Sequence, residues 1–186
     1  MDALEAIFTR YSCDTVKPDP VPQEMLEDVL AAAVQAPNHY HVRPWRFVVL
    51  QGQARERLGD LFGELFLEQH PSAPQSTINK ERVKPLRAPV VIAVGVEPAT
   101  DDPRAIEIEN ICAAAAAVEN LLLAAHALGL GAKWRTGSLA SETRVKTFLG
   151  LNPDQPLIAF IYLGFPAADA QQINRDAYGD RTTWMD

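Results

Sequence analysis

Cysteine is scarce in this sequence, which limits the class of protein that it can encode. Only Cys13 and Cys112 occur among 186 residues, and they form neither a CxxC pair nor a metal-ligand spacing. A small secreted scaffold would carry many more cysteines in disulfides. The N-terminus also lacks a basic segment followed by an apolar run, so we expect no signal peptide. These absences predict free thiols and a cytoplasmic location.

The common nucleotide-binding and hydrolytic motifs are missing. The sequence has no GxGxxG fingerprint before a helix, no GxxxxGK[ST] loop, no GxSxG elbow and no HExxH pair. His39 and His41 form an HxH pair, but a metal site usually needs three or four ligands, and His70 and His126 lie in other segments. We therefore expect no metal site. A redox reaction in this protein would need a bound organic cofactor.

Excess basic charge and long hydrophobic runs are absent as well. The formal net charge is −7, which argues against a nucleic-acid partner, because such proteins neutralise phosphates with clustered Lys and Arg. The most apolar stretches, 88–96 and 111–125, are too short or too interrupted to predict a membrane span. The composition, 47% hydrophobic and 22% charged, is typical of a globular domain with a real core.

Hydrophobic periodicity predicts alternating helices and strands. The predicted helices span 3–11, 22–36, 53–69, 104–128 and 143–149, and the predicted strands span 46–50, 88–96 and 157–163. The strand over 88–96 is expected to be buried on both faces. A loop is predicted over 37–45, a turn over 98–103, and a polar, proline-punctuated, mobile excursion over 70–88. We therefore predict one mixed α and β domain over 1–166, followed by a polar C-terminal tail or arm over 167–186.

The segment 104–128 is the most distinctive predicted element. It is long, rich in alanine and apolar nearly all round, and Gly129 is well placed to cap it in the left-handed conformation. A helix of this kind is normally buried. It can lie at the centre of a monomer core or against a second copy of the chain, and its own sequence does not distinguish the two.

Three segments together suggest a site for a flavin. Arg10-Tyr11-Ser12 follows the first helix, where an arginine can bind a phosphate through two charge-assisted hydrogen bonds and a serine hydroxyl can complete the cradle. Residues 36–45 (APNHYHVRPW) form a proline-bounded loop rich in hydrogen-bonding groups. Residues 129–137 (GLGAKWRTG) contain glycines that allow a flat ligand to approach the backbone. Singly, each segment also has an ordinary interpretation: a solvated arginine, a turn anchored by a core tryptophan, and a helix-to-loop junction.

Taken in order, these segments resemble the nitroreductase family. The shared features are an Arg-x-Ser near the N-terminus, an Ala-Pro loop that ends in Pro-Trp, a long alanine-rich helix that ends in Gly-Leu-Gly, and a Trp-Arg-Thr-Gly sequence after it. The start of the chain and the Tyr-Leu-Gly-Phe-Pro at the end of the last predicted strand also resemble a compact subgroup of NAD(P)H nitroreductases. The resemblance covers residues 1–166.

The resemblance implies an α+β fold with a central sheet flanked by helices, and an intertwined homodimer with the long helix at the dimer interface. It implies one FMN at each of two subunit interfaces, no catalytic side chain and no metal ligand. Nine residues are carried over as cofactor-binding: Arg10, Tyr11 and Ser12 at the phosphate end, His39 and Arg43 from the other subunit, and Trp134, Arg135, Thr136 and Gly137 beside the flavin ring.

The implied reaction is ping-pong electron transfer. NADH or NADPH passes hydride to flavin N5 and leaves, and a small acceptor such as a nitroaromatic or a quinone then takes the electrons. We expect no side-chain nucleophile and no obligatory protein acid, since water can supply the protons. Three alternatives stay open: a non-catalytic flavin-binding or storage protein, a different flavin reaction such as alkene reduction or dehydrogenation, and a structural domain without a cofactor.

Two positions depart from the family pattern. Tyr11 stands where the family often has a second arginine, and Arg43 stands where it often has glutamine. An arginine near the pyrimidine edge would favour the anionic reduced flavin and raise its potential. Alternatively, Arg43 pairs with a carboxylate and has no role at the cofactor.

Overall fold

The computed structural model describes residues 1–97, 106–168 and 175–186. Its helices there are α1 (Ala3–Thr9), α2 (Gln23–Ala33), α3 (Gln53–Gln69), α4 (Gln75–Arg82), α5 (Glu107–Ala127) and α6 (Thr143–Phe148), and its strands are β1 (Trp45–Leu50), β2 (Val90–Val96), β3 (Gly131–Arg135) and β4 (Leu157–Gly164). The predicted turn over 98–103, the predicted helix start at 104 and residues 169–174 of the arm lie outside the described residues.

The strands form one antiparallel sheet in the order β1-β2-β4-β3. β2 pairs with β1 along one side and with β4 along the other, where the register shifts between Val94 and Gly95. Outside the named strands, Ser12 bridges Ala132 in a parallel sense. The segment that follows α1 therefore extends the sheet edge beside β3.

Two apolar cores lie on the two faces of the sheet. α2 and α5 cover one face, where Val29, Leu121 and Ile92 are completely buried. α3 and α6 cover the other face, where Leu58 and Val145 are completely buried. Because β2 lies between the two cores, every one of its residues is buried, which confirms the burial predicted from its continuous apolar sequence.

The long helix α5 is buried along one side only. Val118 and Leu121 are inaccessible between the sheet and α2, whereas Ile108 and Cys112 are exposed in the N-terminal half of the helix. Gly129 follows the helix with a φ of 78°, which confirms the predicted left-handed cap. The sequence predicts that the apolar stretch 111–125 is too interrupted to span a membrane, whereas the whole of α5 is long and apolar enough to do so. One side of α5 nevertheless packs as a core helix does.

The prediction of a mobile excursion over 70–88 is wrong. α4 and a 3₁₀ turn over Lys84–Arg87 occupy much of this segment, and Ile78 and Pro85 are buried. Ile78 is the only buried residue of α4, so the sequence there lacks the apolar stripe by which a helix is recognised. Tertiary packing, not local periodicity, holds this helix in place.

The sequence also predicts three strands where the described residues form four. Residues 131–135, interpreted from sequence as part of a junction after the long helix, form the edge strand β3. The strand begins with glycine and contains no β-branched residue, so its local preference for strand is weak. Pairing with β4 over its whole length overrides that preference.

Candidate functional site

A cavity of about 270 Å³ opens on the face of the sheet that carries α3. Its walls come from α3, the α4-to-β2 segment, the ends of β3 and β4, and the 3₁₀ turn after β3. The lining residues are Phe62, Phe66, Gln69, His70, Glu81, Lys84, Arg87, Arg135, Thr136, Gly137, Ser138, Leu139, Ala140, Phe160 and Tyr162. The fold thus brings three of the predicted site residues, Arg135, Thr136 and Gly137, to one cavity.

The alternation of β3 decides which of its side chains face this cavity. Lys133 and Arg135 lie on the α3 side of the sheet, and the Arg135 guanidinium stands 5.7 Å from the centre of the Tyr162 ring. Trp134 packs on the α5 side, where its indole N–H donates to the Ile158 carbonyl at 3.0 Å. The Trp134 side chain therefore lies on the face of the sheet opposite the cavity.

Gly137, two residues after the end of β3, adopts a conformation that favours glycine. Its φ is 138°, and an added Cβ would meet no atom within 4 Å. Glycine at this position therefore serves the backbone conformation, and Thr136 and Gly137 are exposed beside the cavity, where the Gly137 carbonyl accepts the Ala140 N–H. Exposed peptide groups can hydrogen-bond the edge of a flat ligand.

A smaller cleft continues the cavity towards the N-terminal segment. Cys13, Asp14, Val16 and Lys133 line the cleft alone, whereas Arg87, Arg135 and Tyr162 line both spaces. The two spaces adjoin at these three side chains and are hereafter together called the α3-side groove, and nearly all of its volume lies in the cavity. It has aromatic walls at one end, including the Phe62–Phe160 edge-to-face pair with centroids 5.8 Å apart, and cations towards the other.

Charges in the α3-side groove have clear effects on its titratable groups. The Lys133 ammonium, hydrogen-bonded to Asp14, holds the pKa of that carboxyl below its usual value. Burial raises the pKa of the Tyr162 phenol, and the nearby Arg135 and Arg87 oppose this only in part. Tyr162 therefore stays protonated at neutral pH and can donate a hydrogen bond.

The N-terminal site residues divide between two surroundings. Arg10 contacts α5, where its Nε lies 3.4 Å from a Glu119 carboxylate oxygen, and the Tyr11 ring meets the edge of His126 with centroids 6.2 Å apart. Ser12 is exposed and lies at the sheet edge through its bridge to β3. The N-terminal segment therefore reaches the groove at Cys13 and Asp14, while the Arg10 side chain lies on the α5 side.

His126 is the polar centre of the contact between α1 and α5. Its Nε2 lies 2.8 Å from the Thr9 hydroxyl, and burial together with the Arg10 charge lowers the pKa of its imidazole. The neutral imidazole is therefore the favoured form beside Arg10. This arrangement fixes the chain where it leaves α1 and turns towards Ser12.

The remaining predicted residues, His39 and Arg43, belong to a strained loop outside the α3-side groove. Tyr40, His41 and Arg43 all have φ near 50°, which is rare for residues other than glycine, and the Asn38 side chain accepts the Arg43 backbone N–H at 2.9 Å. Within the described part of the chain, the Arg43 guanidinium pairs with no carboxylate. The alternative in which Arg43 pairs with a carboxylate is therefore not seen among these residues.

His39 lies at the rim of a second, open groove on the exposed side of α5. This space of about 420 Å³ is lined mainly by apolar groups, among them Ile108 and Ala116, and the His39 Nδ1 lies 3.8 Å from Glu109. Within one chain, His39 and the groove that holds Gly137 therefore belong to different faces of the molecule. No three His, Cys, Asp or Glu side chains among the described residues are grouped to hold a metal ion.

Sequence reasoning missed several residues that line the α3-side groove. The sequence assigns Phe62 and Phe66 only to the apolar stripe of a helix. Arg87 falls in the segment 70–88, which was wrongly predicted as a mobile excursion. Tyr162 could have been found, because it is the one polar side chain in the alternating run of the last strand. The other three come from elements far apart in the chain, and no local pattern connects them.

Fold and groove together define an α+β protein with a cavity bounded by aromatic and cationic side chains. The model of the nitroreductase family matches residues 7–165. Over 174 residues the chain is 34% identical to the Escherichia coli protein named "Putative NAD(P)H nitroreductase YdjA", covering 91% of each chain. It is 28% identical over 191 residues to a Thermus thermophilus protein named "NADH dehydrogenase", covering 94% of this chain and 92% of that one.

Solved structures agree with this match. The nitroreductase-like family protein from Bacillus cereus superposes with a TM-score of 0.84 at 25% identity, covering 100% of this chain and 96% of that one. A nitroreductase from Desulfovibrio desulfuricans, solved in complex with FMN, gives a TM-score of 0.74 at 26% identity, covering 100% and 98%. The chain belongs to the nitroreductase family, as its motifs predict, and it is an oxidoreductase with the predicted α+β fold.

Proposed function

We propose that this protein is an FMN-dependent oxidoreductase that moves electrons from NADH or NADPH to a small acceptor such as a nitroaromatic or a quinone. The observation that carries the proposal is the α3-side groove. Its aromatic end and its cationic end are joined through Arg87, Arg135 and Tyr162. FMN has the matching shape, a flat ring system at one end and a phosphate at the other.

The residues present fit this cofactor. Phe62, Phe66 and Phe160 give the groove an apolar wall for a ring, and the exposed peptide groups at Gly137 offer hydrogen bonds to its edge. The cations stand at the opposite end, beside the segment that contains Ser12. The relatives support the same reading, since one is named for NAD(P)H and another was solved with FMN.

Each part of the chain has a definite task in this proposal. Arg10, Tyr11 and Ser12 are assigned to the phosphate end, which Arg10 and Tyr11 would approach from the α5 side of the sheet edge. The backbone from Trp134 to Gly137, with the Arg135 side chain, borders the ring. When bound, FMN supplies the two-electron chemistry between the nicotinamide donor and the acceptor. The chain binds and orients the cofactor and excludes water from one side of it, and no side chain acts as a nucleophile.

The protein works as a homodimer in this proposal. One chain forms a groove of about 270 Å³, just below the range of about 300–1,000 Å³ that complete ligand sites occupy. Apolar side chains lie uncovered on α1, where Phe8 is 73% exposed, and on α5, where Ile108 is 61% exposed. A second copy covers these surfaces, and His39 and Arg43 of that copy complete the cofactor site. The C-terminal arm, with Trp184 exposed, is available to cross between subunits.

Steady-state turnover tests the proposal against its alternatives. Protein loaded with FMN is mixed with NADH or NADPH and either menadione or nitrofurazone, and the oxidation of the nicotinamide is followed. We expect saturable oxidation that requires the acceptor, with the parallel double-reciprocal lines of a ping-pong mechanism. Bound FMN without turnover would instead indicate a storage protein, and turnover only with an activated alkene would indicate alkene reduction.

The unpaired thiols of Cys13 and Cys112 favour a reducing cytoplasm as the location.

A further inference from the structure

The side chain of Tyr162, on β4, faces the α3-side groove. It lines both the cavity and the cleft, and it pairs across the sheet with Lys133, whose side chain lines the same cleft. Phe160, two residues earlier on the strand, points to the same side and forms the aromatic wall with Phe62. Tyr162 is therefore part of the wall against which the proposed function places the flavin ring.

The Tyr162 hydroxyl has no hydrogen-bond partner among the residues that the structure describes. Its ring is half-buried, and a tyrosine with a buried ring usually finds a partner for its O–H. The hydroxyl is not enclosed in the core, because in the described part of the chain the Arg55 Nε is the one enclosed side-chain N or O atom without a partner. The hydroxyl therefore opens into the groove, where it can donate a hydrogen bond to a ligand.

The charges around Tyr162 favour a ligand that accepts a proton donor. The Arg135 guanidinium lies 5.7 Å from the centre of the ring, and Arg87 and Glu81 line the same cavity. Burial raises the pKa of the phenol above its ordinary value of 10.0, and the two arginines oppose this only in part. The hydroxyl therefore keeps its proton at neutral pH beside two cations, which suits it to stabilise negative charge that develops on a neighbouring molecule.

We propose that the Tyr162 hydroxyl donates a hydrogen bond to a carbonyl oxygen of the bound flavin ring and stabilises the reduced cofactor more than the oxidised one. This inference rests on the proposed function, and it assigns a role to a side chain outside the residues carried over from the family. The pyrimidine part of a flavin has two carbonyl groups, and reduction to the anionic form places negative charge there. The donor is worth more after reduction, because hydrogen bonds to charged groups are roughly twice as strong as those between neutral groups.

The test compares Tyr162→Phe with the wild-type protein, because this change removes the hydroxyl and keeps the ring. The reduction potential of bound FMN is measured by equilibration with a reference dye, and circular dichroism confirms folding. We expect a potential that is lower by about 30 mV or more, equivalent to a tenfold change in the ratio of the affinities for reduced and oxidised FMN. Tyr178→Phe, the same change at an exposed residue of the C-terminal arm, is the matched control and should leave the potential unchanged.

Riboflavin, which is FMN without its phosphate, shows which end of the cofactor the hydroxyl reaches. Dissociation constants of both oxidised flavins are measured by quenching of flavin fluorescence. A hydrogen bond to the ring should make Tyr162→Phe bind FMN and riboflavin more weakly by the same factor, up to about fivefold, since one neutral hydrogen bond contributes little net free energy.

Three results would overturn the inference and leave the proposed function intact. They are an unchanged or higher potential in Tyr162→Phe, an equal fall in potential in Tyr178→Phe, and weaker binding of FMN without weaker binding of riboflavin. The last result would place the hydroxyl at the phosphate end and not at the ring. A wild-type protein that binds neither flavin would overturn both the inference and the proposed function.

Discussion

The arginines of this chain show that the surroundings of a residue decide its role more than its place in a sequence motif does. Arg10 belongs to the motif that suggests a phosphate site, yet its Nε lies against Glu119 on α5. Arg135 stacks over Tyr162 inside the groove, and Arg87, which belongs to no motif, stands beside it without an acidic partner. The Arg10 side chain is therefore tied to α5, whereas Arg135 and Arg87 face the α3-side groove.

At the same scale, His126 links the stability of the fold to pH. Its folded-state pKa is lowered, first by burial and then by Arg10, while Glu5 opposes the shift. The unfolded chain therefore binds the proton more readily, and stability is lost as the pH falls below the ordinary value of 6.5. We expect the urea midpoint to be lower at pH 5.5 than at pH 7.5.

The matched variant His126→Gln separates this effect from other titrations. Glutamine retains a hydrogen-bonding group for the Thr9 hydroxyl but does not titrate, so the midpoint should depend less on pH in the variant. Asp14 does not confuse the comparison, because its pKa is lowered from 3.8 and it titrates below the pH range used. An equal pH dependence in both proteins would show that His126 does not carry the effect.

Among the secondary-structure elements, close packing between α3 and α4 depends on two glycines. An added Cβ at Gly59 would collide with the backbone carbonyl of Arg82, and one at Gly63 would collide with the Arg82 side chain. Alanine at Gly59 favours the helix by about 1 kcal/mol, but overpacking against a backbone atom costs about 1–3 kcal/mol. We expect Gly59→Ala to lower Tm by a few degrees despite its better helix propensity.

The control for this prediction is Gly179→Ala, because a Cβ there meets nothing within 4 Å. Its Tm should match that of the wild type in a thermal scan. A Gly59→Ala protein at least as stable as the wild type would mean that the α3–α4 contact is looser than described.

The elements also show which parts of the fold were predictable. β2 and α5 could be predicted, because a strand buried on both faces and a long apolar helix each require a continuous apolar segment in the sequence. α4 and β3 could not be predicted, because α4 has a single buried residue and β3 is an edge strand that begins with glycine, so neither shows a local pattern. The candidate site follows the same rule: the backbone of Thr136 and Gly137 was predictable from a motif, whereas the aromatic wall and Arg87 meet only in the folded chain.

For the molecule as a whole, the surface left uncovered by one chain predicts how two chains meet. Phe8 on α1 lies uncovered beside α5, and a charge placed there would be buried without a partner in the proposed dimer. We expect Phe8→Glu to be monomeric at micromolar concentration and to retain little FMN after desalting, as measured by sedimentation velocity and absorbance. Leu67→Glu, which places the same charge on an exposed position of α3, should leave a dimer that retains its cofactor. A dimeric, fully loaded Phe8→Glu protein would contradict the proposed interface.

The central claim is that two copies of this chain hold one FMN each, and light scattering combined with absorbance tests it most directly. The purified protein is incubated with FMN, desalted, and passed over a sizing column with both detectors in line. We expect one particle of twice the chain mass of 20.4 kDa, with flavin absorbance equivalent to one FMN per chain. A well-folded particle that elutes without flavin would contradict the cofactor assignment and the enzymatic proposal with it.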